Sequence, residues 1–357
     1  MVIFLTSCLR SESSNIETPP FPYKVQQEPS SFKDNPQALV LGDEMAKDFM
    51  RFAPILTEKW LKTKKIQFQF HYMGNEKDGL HRSFDRLLSI EKPPKFVFYF
   101  VGNHDLYEKK FHVKQSSNIK KNLKKYNEGK WTTLAYFVPF FKRYIYPSVK
   151  KVTLQDEIIK DETKYNSSQL IDLFSTNFQI YESELETFIR LTKKHKIHLV
   201  IVTNPINLNW PPQVICGRQT PDSHALMKKI EYYFATGEVK RAKSLLDNLF
   251  KEVPSNARVH YLLGKTNLQS GNYFRARENF ISANSLDCNQ ERGNVVYNSI
   301  AKKLGSQHGV SVIDFFRMAN DNLGKKEIFK DDRFPEDYLY QKLLDKIWHH
   351  IVPLVRF

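Results

Sequence analysis

No run of apolar residues in this chain approaches the roughly 18 that a membrane-spanning helix needs. Cysteine is scarce as well: there are three, an odd number, which excludes the disulfide framework of a small secreted scaffold. Arginine is the minor base, with 15 residues against 39 lysines, so the formal charge of +15 lacks the guanidinium forks that read bases and phosphates. No recognised nucleic-acid motif accompanies that charge, and no nucleic-acid partner is expected. What is present is a chain of 357 residues, 41% hydrophobic, with 27 phenylalanines. That content excludes wholesale disorder, and the length suits one large or two ordinary domains with a sizeable core.

Five short apolar segments have the length of buried parallel strands: Ala38–Gly42, Ile66–Met73, Phe96–Gly102, Ile197–Asn204 and Val310–Phe315. Helical patterns lie between or after them, at Met45–Lys62, Leu80–Ile90, Ser168–Lys194, Val295–Gly305 and Asp337–Ile351. This alternation predicts an α/β fold, a three-layer α/β/α sandwich around a five-stranded parallel sheet. Ligands of such sheets sit at the carboxyl ends of the strands, so the residues that follow each strand carry the functional argument.

Two insertions interrupt the alternation. Residues 107–151 hold 12 Lys and Arg, only two acids (Glu108 and Glu128) and ten aromatics, a local charge of +10. Lys120, Lys121, Lys124, Lys125, Trp131, Lys142 and Arg143 are its candidate binding residues, since bases interleaved with aromatics suit a polysaccharide or an anionic lipid surface. The plainer alternative is a lid whose aromatics pack on the sheet edge while its lysines stay solvated. The second insertion, residues 223–291, repeats on itself: Gly237, Ala242 and Pro254 recur as Gly271, Ala276 and Cys288, each 34 residues later. A 34-residue period with small residues at helix crossings is the pattern of tetratricopeptide repeats, and the pair is the expected docking element for a protein partner.

The blocks at the strand ends complete the pattern. They are Gly42-Asp43-Glu44 after the first strand, Gly102-Asn103-His104-Asp105 after the third, Val202-Thr203-Asn204-Pro205 through Pro211-Pro212 after the fourth, and Asp331-Asp332-Arg333-Phe334 before the last helix. Over roughly residues 37–352 the chain resembles the SGNH (GDSL-type) hydrolases, in particular bacterial members that carry tetratricopeptide repeats before the final block. The resemblance implies a domain formed by residues 37–222 and 292–357, with Gly74 (or Gly79) as the glycine of the second block.

The departures from that family are chemical. Its nucleophilic Ser corresponds to Glu44, its oxyanion-binding Asn to His104 and its general-base His to Phe334, which cannot titrate. Asp331 matches the Asp that orients the base, and Asp43, Gly102 and Asp105 are supporting positions. Acyl transfer needs nucleophile, base and oxyanion donors together. The expected function is therefore a catalytically inactive SGNH-like module; the alternative is a diverged esterase or acyltransferase acting on envelope carbohydrate or lipid esters. Glu44, His104, Asp105 and Asp331 also have the chemistry of a divalent-metal or acid–base site. The expectation is plainer: Glu44 and His104 hydrogen-bond to one another across the former cleft, with no metal and no cofactor.

Residues 1–36 read as a tail or linker with Ser and Pro clusters. Within it, Val2–Cys8 resembles the lipobox of bacterial lipoproteins, which makes Cys8 the candidate lipidation site and the bacterial cell envelope the expected location. If that match is accidental and the chain starts at Met1, the location is cytoplasmic. Cys216 and Cys288 could pair in an oxidising envelope.

Overall fold

The computed structural model describes residues 37–64, 69–76, 78–90, 92–105, 116–117, 119–121, 166–216, 221–289, 291–321, 323–324 and 328–354. The tail with Cys8, and Lys124, Lys125, Trp131, Lys142 and Arg143 of the basic insertion, lie outside these residues.

The fold is α/β around a five-stranded, all-parallel sheet. Its strands are β1 (Ala38–Leu41), β2 (Phe70–Tyr72), β3 (Phe96–Phe100), β4 (His198–Val202) and β5 (Ser311–Ile313). Their order across the sheet is β2-β1-β3-β4-β5. The register runs from Ala38 opposite Phe70 and Phe96, through Phe100 opposite Val202, to Val202 opposite Ile313. Each strand lies inside an apolar segment expected from the sequence, trimmed at its ends.

Both sheet faces are buried, which is why β3 reads FVFYF without polar alternation. Successive side chains of a strand point to opposite faces. Leu39, Leu41, Val97, Tyr99, Leu199 and Ile201 thus enter one core, with side chains of α3 (Leu80–Leu88), α4 (Ser167–Lys194) and α9 (Val295–His308). Ala38, Val40, Phe96, Phe98, Phe100 and Val200 enter another, with α1 (Glu44–Phe49), α2 (Ala53–Lys64), α10 (Phe315–Asn320) and α11 (Asp337–Ile351). The helix expected over Met45–Lys62 is in fact two, α1 and α2, separated by a turn at Met50–Phe52. Pro54 is the physical reason: it has no N–H to donate to a continuous helix, but it fits the first turn of a new one. In contrast, α4 runs unbroken for 28 residues from a capping box in which Asn166 and Gln169 satisfy each other's backbone N–H groups.

Between β4 and α9 the chain forms two helical hairpins, α5 (Pro221–Ala235) with α6 (Val239–Glu252), and α7 (Ala257–Gln269) with α8 (Tyr273–Ser285). Both turn on glycines at positive φ, Gly237 at +78° and Gly271 at +75°, a conformation that costs a side-chain-bearing residue energy. Their apolar faces close a third core together with Ile206 and Leu208 from the β4 exit. The hairpins therefore support the loop that leaves the fourth strand. At the far end of α8, Cys216 and Cys288 are joined in a disulfide with Cα atoms 5.9 Å apart. Around it, Cys288 N–H donates to the Val214 carbonyl at 2.9 Å, and Asp287 forms a buried ion pair with Arg292. Burial pushes the Asp287 carboxyl up and the Arg292 guanidinium down from their ordinary values. No helix among the described residues is long and apolar enough to cross a membrane.

The disulfide links residues 72 apart in sequence. A loop of that size predicts a stabilisation of about 4 kcal/mol from chain entropy. Thermal unfolding with and without dithiothreitol, and of a Cys216→Ser/Cys288→Ser variant, should show a matching loss of stability in both cases. Thiol titration of the unreduced, unfolded and unlipidated chain should find a single reactive cysteine, Cys8.

Candidate functional site

The carboxyl ends of β1 and β3 converge on one carboxylate. Asp43 is fully buried and caps α1, its Oδ1 accepting the Met45 N–H at 3.0 Å. Its Oδ2 accepts the Asn103 N–H at 2.5 Å and the His104 N–H at 3.3 Å. The His104 imidazole stands 3.3 Å from the same oxygen through Nδ1. This approach requires a glycine at 102, because a Cβ there would lie 2.5 Å from Asp43 Oδ2. Gly74, at the exit of β2, is likewise pressed against the Gly42 carbonyl and the Tyr72 ring. The Tyr72 hydroxyl donates towards the carbonyls of Gly42 and Asp43, at 3.3 and 3.2 Å. Burial, reinforced by the carboxylates of Asp78 and Asp43, raises this phenol above its ordinary range.

Glu44, the first residue of α1, continues the network. Its Oε2 lies 3.1 Å from His104 Nδ1, and its Oε1 accepts from Arg333 Nη1 at 3.2 Å. His104 Nδ1 therefore stands between two carboxylates, and one of them is held from its other side by a guanidinium. Burial alone would disfavour an imidazolium, but the hydrogen bonds it donates to Asp43 and Glu44, with their charges, outweigh it and hold the His104 pKa up at about 9. Two carboxylates thus face one imidazolium and one guanidinium, and Asp332 stands 3.7 Å from Arg333 Nε as a further carboxylate. Asp43, Glu44 and His104 also offer three ligand atoms within 4.8 Å of one another, a set that could hold a divalent cation. Such a cation would have to displace the shared Nδ1 proton and compete with Arg333 for Glu44.

The last block enters this site through Arg333. Asp331 Oδ1 accepts the N–H groups of Arg333 and Phe334, at 2.8 and 2.6 Å, which closes a tight turn and aims the guanidinium at Glu44. Phe334 is partly buried against the core shared by α1 and α11. Asp105 supports the site from behind: its Oδ2 accepts the Gly102 N–H at 3.3 Å, and its Oδ1 accepts the Leu80 N–H at 2.7 Å, so it caps α3 from another part of the chain.

The structure thus brings together Asp43, Glu44, Gly74, Gly102 and His104, with Asp331 and Phe334 joined to them by the turn that carries Arg333. Of the basic insertion, Lys120 pairs with Asp172 of α4 at 2.5 Å and also donates to Ser175, whereas Lys121 is exposed. Sequence reasoning passed over Arg333, whose one signal is its place two residues after Asp331. It also passed over a buried amide relay. Asn103 Oδ1 accepts from Asn204 Nδ2 at 2.7 Å and from the Gly293 N–H at 3.1 Å, and Asn298 exchanges two hydrogen bonds with the Asn204 backbone.

A histidine whose folded pKa is raised stabilises the fold fully below its unfolded value, near 6.5, and loses that contribution as the pH rises towards 9. Urea unfolding across pH 6–10 should show the protein losing of order 3 kcal/mol in that window, since one pKa unit is worth about 1.4 kcal/mol. A His104→Asn variant should lack this component of the pH dependence.

No protein-family model matches the chain, and no curated protein matches it.

Proposed function

We propose that the chain is a catalytically inactive, SGNH-hydrolase-like module of the bacterial cell envelope that binds a glycan, an anionic surface or a protein partner. The observation that carries this reading is the state of Glu44. By its resemblance to the SGNH first block it occupies the nucleophile position, and it is held on one oxygen by His104 and on the other by Arg333. A carboxylate committed in this way has no alkoxide chemistry to offer. The base position is Phe334, packed on the core instead of facing a nucleophile. Loss of nucleophile and base together leaves only the small residual catalysis of a binding site.

The finer architecture belongs to the same proposal. Helices packed against both sheet faces support the α/β/α sandwich. The hairpin turns at Gly237 and Gly271, together with Gly264 pressed on the Phe280 ring, support reading 223–291 as a tetratricopeptide-like pair inserted into the domain 37–222 and 292–357. The Cys216–Cys288 bond supports an oxidising compartment, in keeping with the lipobox-like Cys8 and an envelope location. The concentration of charge in residues 107–151 supports the anionic-surface partner.

A fluorophosphonate serine-hydrolase probe should leave the protein unlabelled, and p-nitrophenyl acetate should turn over no faster than in buffer. Turnover that disappears in Glu44→Gln or Asp331→Asn would overturn the inactive reading. Cosedimentation with phosphatidylglycerol vesicles should be strong at low salt and lost at high salt, where surface charges are screened. It should weaken when Lys124, Lys125, Lys142 and Arg143 are changed to Glu.

A further inference from the structure

Next to the ion-pair network lies a solvent-open cleft of about 180 Å³, between the loop that leaves β4 and the last block. Asn207, Asn209 and Trp210 form one wall, and Phe329, Lys330 and Asp331 form the other. We infer that this cleft is a subsite for one uncharged pyranose ring, stacked on Trp210 and hydrogen-bonded by Asn209 and Asp331. The inference deepens the glycan-binding reading above and rests on it.

The walls of the cleft are held rigidly. Asn207 is fixed from three directions: its Nδ2 donates to the Asp331 carbonyl at 2.9 Å, its Oδ1 accepts the Asn209 N–H at 3.1 Å, and its own carbonyl accepts from Arg292 Nη2. The Asn209 carbonyl accepts from the Tyr261 hydroxyl at 2.9 Å, which ties this wall to the helical hairpins. Across the cleft, Asp331 Oδ1 is used by its own turn. Both walls are therefore built before a ligand arrives, which lowers the ordering cost of binding.

The polar atoms left over define the ligand. Among the described residues, the Asn209 carboxamide and Asp331 Oδ2 take part in no hydrogen bond, and both residues are exposed. A carboxylate oxygen accepts, and a carboxamide both donates and accepts. Together they match neighbouring hydroxyl groups, each of which does both. Trp210 is 38% exposed, and its indole offers an apolar surface beside these polar atoms. A pyranose has the complementary surface, with an apolar face of C–H groups and a rim of hydroxyls. Charge excludes an anion. Lys330, the one cation in the cleft's lining, is spent on Asp337 at 2.5 Å, while Asp331 leaves a negative rim. The volume, below the ~300–1,000 Å³ of sites that enclose drug-sized molecules, suits a single ring.

Saturation-transfer difference NMR on the full chain tests this, with the methyl glycosides of glucose, mannose and galactose and with N-acetylglucosamine, each at millimolar concentration. The expected result is transfer to the ring C–H protons of at least one sugar. Binding should weaken at least tenfold in Trp210→Ala, less in Trp210→Phe, and clearly in Asp331→Asn, with melting temperatures unchanged. Absence of transfer from all four sugars, or transfer of equal strength in Trp210→Ala, would overturn the subsite. So would preferential binding of benzamide or a nucleoside over every sugar. The serine-hydrolase probe separates the two readings: a silent probe with no sugar binding removes the subsite alone, whereas a labelled serine removes the inactive-module reading whatever the sugars do.

Discussion

The buried carboxylate of Asp43 is the interaction on which the rest of the site depends. It has no solvent of its own, so every lone pair must be answered from within the protein. The answers come from two directions: Met45 on the helix that follows β1, and Asn103 and His104 on the loop that follows β3. One side chain thereby fixes the first and third strand exits against each other, and Gly102 permits the contact by presenting no Cβ. A lone buried carboxylate would be costly. The imidazolium of His104 offsets that cost, and Glu44 and Arg333 complete the balance.

The charges of this network are spent largely on one another. A working acyl-transfer site keeps a nucleophile and a base unsatisfied towards the substrate, with donors aimed where charge will develop. In the proposed SGNH-like reading the corresponding positions are engaged with each other, and the turn of the last block presents an arginine, not a histidine, to Glu44. Among the described residues, the Asn209 carboxamide and Asp331 Oδ2 make no hydrogen bond and lie to the side, in the cleft between Trp210 and Asp331. Binding without turnover is the role that suits such a distribution.

Much of the fold was legible in the sequence because burial on both faces leaves a plain signature: five short apolar runs became the five strands. The apolar spacing of residues 337–351 marked α11 to the residue. The blocks after β1 and β3 were legible as neighbours because parallel sheets gather their strand ends. Arg333 was not, since its bond to Glu44 joins residues 289 apart and has no local period. The amide relay was equally hidden, because Asn103, Asn204, Gly293 and Asn298 look like ordinary loop or helix residues until the fold stacks them. The break between α1 and α2 was missed because the apolar spacing continues across it, and Pro54 was the signal to weigh. Charge in the basic insertion was legible only as a sum. Lys120 shows why the sum misleads, for one of the candidate binding lysines is spent on Asp172 within the chain.

The central claim is that His104 is a charged member of a closed ion-pair network instead of a free imidazole. Side-chain ¹⁵N NMR of histidine-labelled protein reads this directly, with the His104 signals assigned by comparison with His104→Asn. The account predicts that both ring nitrogens are protonated at pH 7.5 and that the ring titrates near pH 9. A neutral His104 at pH 7.5, titrating at or below the ordinary value near 6.5, would contradict it.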